Sequence, residues 1–161
     1  MVFLSADMAK EIERKFLIDV EKWGKQGAPV EMVQAYLVIL PDKIVRVRMA
    51  GEKAFLTIKG NTSGITRDEF EYPIPVADAR ELLEMCGGLK VEKTRYIYTF
   101  KGKKWEIDVF HGRNEGLVVA EIELESADEP IVYPDWVVCE VSEDEKYYNF
   151  NLAIKPYSVW Q

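Results

Sequence analysis

The sequence predicts a mainly β domain of the α+β class: a largely antiparallel sheet of about eight strands, accompanied by two helices. Apolar and polar residues alternate with period 2 through most of the chain, the signature of half-buried strands. The alternating runs are joined by short turn-like links, PDK at 41–43, GEK at 51–53, GNTSG at 60–64 and KGKK at 101–104. Links this short join antiparallel neighbours more easily than parallel ones. Two further segments carry helix formers between start and stop signals.

Strands are placed at 10–18, 31–40, 43–50, 53–60 and 65–74. PVADARELLEMCGG, at 75–88, has an early Pro, helix formers through its middle and a Gly pair after Cys86, and reads as a helix with its stop. Strands follow at 91–100, 103–111 and 117–126. A second helix is expected over SEDEKYYNFNLAI, at 142–154, where Ser142 and Glu145 have capping-box spacing. With 161 residues and 48% apolar composition the chain can bury one core, so a single domain over 8–161 is expected, preceded by a flexible extension at 1–7. The leader MVFLSADMAK is too short in apolar residues for a signal peptide or a membrane span.

The formal charge of -7 argues against nucleic-acid and membrane partners, which both need a positive field. Any anionic ligand must meet a local basic cluster. Cys86 and Cys139 have neither CxxC spacing nor a companion histidine pattern, so no disulfide framework or zinc site is indicated, and a cytoplasmic location is the default.

Phasing the strands gathers the charges, because residues i and i+2 share a face. Glu11, Glu13 and Lys15 lie opposite Ile12, Phe16 and Ile18; Arg46 and Arg48 lie opposite Val45, Val47 and Met49; Thr57 and Lys59 lie opposite Leu56 and Ile58. Arg67, Glu69 and Glu71 share a face, as do Lys93 and Arg95, then Glu106 and Asp108, then Glu121, Glu123 and Glu125. An ordinary solvated face gains from mixed signs, whereas these charges cluster by sign within strands. Arginine pairs suit phosphate oxygens and grouped carboxylates suit hard divalent cations, so a polyphosphate with Mg²⁺ or Mn²⁺ fits both. Period and charge leave two architectures open, an open sheet with a wet face and a closed barrel with a polar interior.

EIERK, followed in order by VRVR, LTIKG, DEFEY, EKTRY, WEIDVF and AEIEL, resembles the CYTH domains, also called triphosphate tunnel metalloenzymes, over about residues 10–154. The resemblance implies an eight-stranded antiparallel closed barrel with a charged interior and helices packed outside. It also implies metal-dependent chemistry on triphosphates, and the chain looks closest to the short bacterial inorganic triphosphatases. By that resemblance Lys15, Arg46, Arg48, Lys59, Lys93 and Arg95 grip phosphate; Glu11, Glu13, Glu121, Glu123 and Asp108 hold metal; Glu69, Glu71 and Glu106 support them. Tyr36 matches a tyrosine near the signature Lys15, the two being the expected catalytic pair, and Lys146 matches a basic position closing one tunnel mouth. Glu125 lies one step past the family's carboxylate pair.

The expected activity is hydrolysis of tripolyphosphate to pyrophosphate and phosphate, by a monomer or homodimer. Class IV adenylate cyclase, thiamine or nucleoside triphosphatase, and a non-catalytic polyphosphate-binding module are the alternatives; a lipocalin-like apolar barrel is disfavoured by the charged face. His111 reads as a loop-edge residue, Cys86 and Cys139 as small buried side chains, and Trp105, Trp136 and Trp160 as packing against the helices. HGRNEG at 111–116 lacks P-loop spacing and reads as a turn.

Overall fold

The computed structural model describes residues 10–160; the expected extension at 1–7 lies outside the described residues. The strands are β1 Lys10–Ile18, β2 Ala28–Leu40, β3 Lys43–Ala50, β4 Lys53–Ser63, β5 Thr66–Pro73, β6 Lys90–Phe100, β7 Lys103–Phe110, β8 Val118–Glu123 and β9 Val137–Glu140. The helices are α1 Val20–Trp23, α2 Val76–Met85 and α3 Asn149–Ile154. Eight strands hydrogen-bond in the order β5-β4-β3-β2-β6-β7-β8-β1, and β1 returns to β5 through Lys10↔Asp68, Glu11↔Arg67 and Ile12↔Thr66. The sheet is therefore a closed antiparallel barrel. The KGKK link is a tight hairpin, with Lys101 at φ 50° and Gly102 at φ 78°, the left-handed pair that matches the strands' twist.

The closing seam is short, and β1 shares that edge with β9. Beyond the β5 pairs, Phe16, Leu17 and Ile18 pair with β9. Between the two partners the Val141 N–H donates to Lys15 O at 2.8 Å, and Ser142 Oγ accepts from the Lys15 N–H at 2.9 Å. The sequence expectation of a capping box at Ser142 is corrected here: its hydroxyl accepts from β1 and donates to Glu140 Oε1 of β9 at 2.7 Å. Asp144 caps the following 3₁₀ turn instead, and α3 starts only at Asn149.

The apolar residues divide into three clusters, and their placement corrects two further expectations. On the outer face of β1, β7 and β8, Phe16, Trp105, Ile107 and Ile122 pack with Trp23 of α1 and with Leu124 and Trp136 from the connection after β8. Trp105 and Trp136, 5.5 Å apart, thus meet each other under that connection rather than under α2 or α3. Helix α2 covers a second patch, where Ala79 and Cys86 meet Ala35, Val47 and Ala54, as expected of an outer helix. The third cluster lies inside one end of the barrel: Tyr36, Ile44, Val91, Phe110 and Val119 meet Leu152 and Ala153 of α3. Helix α3 is therefore an end cap, and Trp160 packs there beside Tyr147. Full burial of each such side chain stabilises by about 1.5–3 kcal/mol, which makes both the outer wall and the capped end firm supports for the charged interior.

Two short elements had no expectation. Helix α1 is four residues, capped by Asp19 Oδ1 accepting from the Lys22 N–H and stopped at Gly24 with φ 63°, too short for any helical period to register. Strand β9 is four residues without alternation, held only because β1 offers it an edge. Cys139, on β9, is exposed, which corrects its expected burial; Cys86 is buried and its thiol donates to Leu82 O.

Candidate active site

The barrel encloses a cavity of about 880 Å³. Alternation aims Glu11, Glu13 and Lys15 of β1 into it, together with Arg46 and Arg48 of β3, Lys59 of β4, Glu69 and Glu71 of β5, Arg95 of β6, Glu106 of β7, and Glu121 and Glu123 of β8. Tyr36 of β2 lines the same cavity. Of the residues expected to act as catalytic, phosphate-gripping, metal-holding or supporting groups, Lys93 and Asp108 are not on its wall.

Opposite charges neutralise one another in register. Lys15 Nζ donates to Glu121 Oε1 at 2.6 Å and to Glu13 Oε1 at 2.9 Å, because Lys15 pairs with Glu121 across β1 and β8. Lys59 Nζ donates to Glu11 Oε2 at 3.0 Å. Arg46 Nη2 donates to Thr57 Oγ1 at 3.2 Å and to Glu71 Oε2 at 3.4 Å, and the Thr57 hydroxyl donates to the same Glu71 oxygen at 2.9 Å. Arg95 contacts Glu106 and Glu121 while its Nε and Nη2 fork onto Asp108 at 2.7 and 2.9 Å. Arg48 is different: its Nε donates to the neutral Gln34 Oε1 at 3.0 Å. Gln34 in turn donates from Nε2 to the Tyr36 hydroxyl at 2.8 Å.

On the inner face but off the cavity wall, Asp108 and Lys93 have fully buried side chains 2.6 Å apart. Asp108 receives Lys93 and both arms of Arg95, and Asn149 Oδ1 takes a further bond from Lys93 Nζ at 3.0 Å. Burial opposes the Asp108 carboxylate, but Arg95 and Lys93 hold it below the usual carboxylate range. Burial pulls the Lys93 ammonium down from 10.5 to about 7, with Asp108 opposing the fall.

On the wall, burial works against the Lys15 ammonium, yet Glu121 and Glu13 more than compensate and raise its pKa above the ordinary lysine value. Lys15 therefore keeps its proton at neutral pH. Glu121, burial notwithstanding, is held well below the usual range by Lys15 and Arg95. Arg48 is lowered to about 10 by burial and then by the nearby Arg46 and Arg95. Glu13 is raised to about 7, first by burial and then by Glu121. Glu123 is raised by burial, then by Glu11, Glu13 and Glu106. Carboxylates that destabilise one another's charge in this way fit a divalent cation. Among the described residues no three of them converge at ligating distance, since Lys15 and Lys59 stand on Glu13, Glu121 and Glu11.

The CYTH domain family model matches residues 9–154. The chain belongs to the CYTH domain family. Over 151 residues it is 45% identical to an inorganic triphosphatase of Acetivibrio thermocellus, covering 93% of this chain and 97% of that one. It is 38% identical over 148 residues to an inorganic triphosphatase of Nitrosomonas europaea, covering 89% and 97%. A crystal structure of an inorganic triphosphatase superposes with TM-score 0.65 at 35% identity, covering 89% of this chain and 94% of that one.

This CYTH domain departs from the sequence expectations at particular residues. Lys146 is not on the cavity wall: its ammonium sits 5.2 Å from the Tyr147 ring and 5.1 Å from the Trp160 ring, outside the capped end. His111 does sit at the loop edge after β7, as expected, half-buried and sharing a 2.7 Å hydrogen bond between Nε2 and Thr94 Oγ1. Ser142, Tyr148 and Asn149 line the cavity without having been expected at the site, as they lie in a stretch whose pattern signals only a helix. Among the described residues no helix is long and apolar enough to cross a membrane.

Proposed function

We propose that the protein hydrolyses inorganic triphosphate to pyrophosphate and orthophosphate inside its barrel, using Mg²⁺ or Mn²⁺. The observation that carries this reading is the pairing of opposed charge sets across one cavity: cations on β1, β3, β4 and β6 held by carboxylates on β1, β5, β7 and β8. Tripolyphosphate bears about four to five negative charges near neutral pH, enough to take over those cations as its own partners. The carboxylates so released, Glu11, Glu13, Glu121 and Glu123, would hold the metal. When bound, the metal neutralises phosphate oxygens and activates water.

Each side chain then has a task that its surroundings set. Arg48, whose only side-chain partner among the described residues is the neutral Gln34, offers a weakly compensated charge in the tunnel and seats the polyanion first. Arg46, Lys59 and Arg95 neutralise charge that grows on the phosphoryl oxygens during attack. Lys15, which keeps its proton, orients the attacking water and does not abstract from it. The Tyr36 hydroxyl, accepting from Gln34, has no acceptor for its own proton among the described residues and can donate it toward the cavity. Water adds to the terminal phosphorus as the bridging P–O bond breaks and pyrophosphate leaves. Asp108 we assign to holding Lys93 and Arg95 rather than metal, because its oxygens already take their hydrogen bonds and its side chain has no exposure. Free thiols at Cys86 and Cys139 support a cytoplasmic setting.

The test is phosphate release from tripolyphosphate, ATP and thiamine triphosphate in parallel, each with Mg²⁺ and Mn²⁺. Tripolyphosphate should turn over fastest. Faster formation of cyclic AMP from ATP would replace this reading with a cyclase, and binding without turnover of any of the three would replace it with a binding module.

A further inference from the structure

Charge accounting along the cavity wall isolates one arginine outside the phosphate-gripping set. Lys10, Lys15, Arg46, Lys59, Arg95 and Lys104 each have a carboxylate within salt-bridge distance. Among the described residues Arg48 and Arg67 have none. Arg48 lies among the tunnel cations already described. Arg67 lies elsewhere, where the cavity meets an adjoining cleft of about 720 Å³, and it lines both.

Its guanidinium is positioned before any ligand arrives. The register between β4 and β5 shifts between Lys59 and Thr62, and Arg67 Nε donates to the Gly60 carbonyl there at 2.7 Å. The Phe150 ring stands 6.0 Å from the guanidinium carbon. One edge is thereby fixed, and the two terminal nitrogens have no hydrogen-bond partner among the described residues. Burial is the largest influence on this group and lowers its pKa, with Glu11 the main opposing charge. Asn61, Thr62 and Asn151 add polar groups to the cleft, and Glu143 and Glu145 make part of its lining acidic. A fixed planar fork with two unused nitrogens matches two oxygens of a phosphate group, and acids nearby keep the hold weak enough for release.

We propose that Arg67 forms a second oxyanion subsite that takes a phosphate group as it passes between the tunnel and the adjoining cleft. The proposal rests on the triphosphatase reading above. The phosphate group has two sources, the terminal phosphate of incoming tripolyphosphate and the released orthophosphate.

The experiment uses the full chain as wild type, Arg67→Ala and Arg67→Lys. Orthophosphate is titrated calorimetrically, and tripolyphosphate turnover is followed with Mg²⁺ at rising orthophosphate. Loss of a charge-assisted fork should weaken orthophosphate binding about tenfold in Arg67→Ala, with part of it recovered by Arg67→Lys. If incoming substrate is the ligand, KM for tripolyphosphate rises in step at unchanged kcat; if product is, the orthophosphate inhibition constant rises alone. A folded Arg67→Ala with unchanged orthophosphate affinity and unchanged KM overturns the proposal. Should Arg67→Ala fail a thermal-melt check, Arg67→Gln is read by the same criteria. The titration needs no turnover, so a wild type that binds orthophosphate through Arg67 without hydrolysing tripolyphosphate removes the triphosphatase reading and leaves the subsite standing.

Discussion

Replacing Asp108 by Asn keeps the shape of the side chain and removes its charge, at a place where two cations depend on it. Its carboxylate accepts from Lys93 Nζ at 2.6 Å and from Arg95 Nε and Nη2 at 2.7 and 2.9 Å, with no exposure to water. Breaking a buried pair strands its partner's charge and costs about 3–5 kcal/mol. A domain of this size loses about 2–4 °C of Tm per kcal/mol, so Asp108→Asn should melt roughly 10 °C lower than wild type. The penalty has a pH sign. Folded Lys93 titrates at about 7 against an ordinary 10.5, so across that window the unfolded state holds more protons and stability from this group rises with pH. Losing Asp108 depresses Lys93 further, and the deficit should be larger at pH 6, where a stranded ammonium must be kept or discharged, than at pH 8. Urea denaturation at the two pH values measures both effects, and calorimetric titration of Mn²⁺ measures metal affinity alongside. A variant within about 1 kcal/mol of wild type that has lost Mn²⁺ affinity would refute the reasoning and return Asp108 to the metal.

Two further outcomes follow from the site's supports. In chelator, Glu13 titrates at about 7 when folded against an ordinary 4.5, so the folded state holds the extra proton between them and this group's stabilisation fades as pH rises through that window. Glu13→Gln should therefore gain on wild type in urea midpoint between pH 5 and pH 8, and a gap independent of pH would contradict the crowding of carboxylates. Ser142→Ala strands the Lys15 N–H at the barrel seam, which should cost about 1–3 kcal/mol and slow tripolyphosphate turnover. Ser142→Thr, keeping the hydroxyl, should recover both, and a stable but equally slow Thr variant would mean that the hydroxyl does not set the position of Lys15.

Most of the barrel was legible because a strand facing charge on one side and packed apolar residues on the other alternates without interruption. Eight of the nine strands were placed near their observed bounds for that reason, and helix α2 because its start and its Gly stop are local. Strand β9 and helix α1 escaped because four residues carry too little period to stand out. Ser142 was misread because a hydroxyl three residues before a Glu has the spacing of a cap whichever backbone it serves, and only the fold brings Lys15 beside it. Asp108 was placed with the metal acids because its parity puts it on the inner face, where nothing local distinguishes a wall carboxylate from one sealed off from the cavity.

The sequence by itself determined which side chains face inward, and with what sign, since alternation is a property of each strand alone. It also determined the family, through charged motifs recurring in order. Tertiary structure decided which charges cancel. Lys15 keeps its proton because Glu121 lies opposite on β8, Lys93 and Asp108 are sealed off from the cavity because the apolar end closes over them, and Arg67 has no carboxylate at salt-bridge distance among the described residues, its Nε being turned to Gly60 at a register shift. Coulomb energy depends on distance and burial, and for residues on different strands both exist only once the barrel has closed.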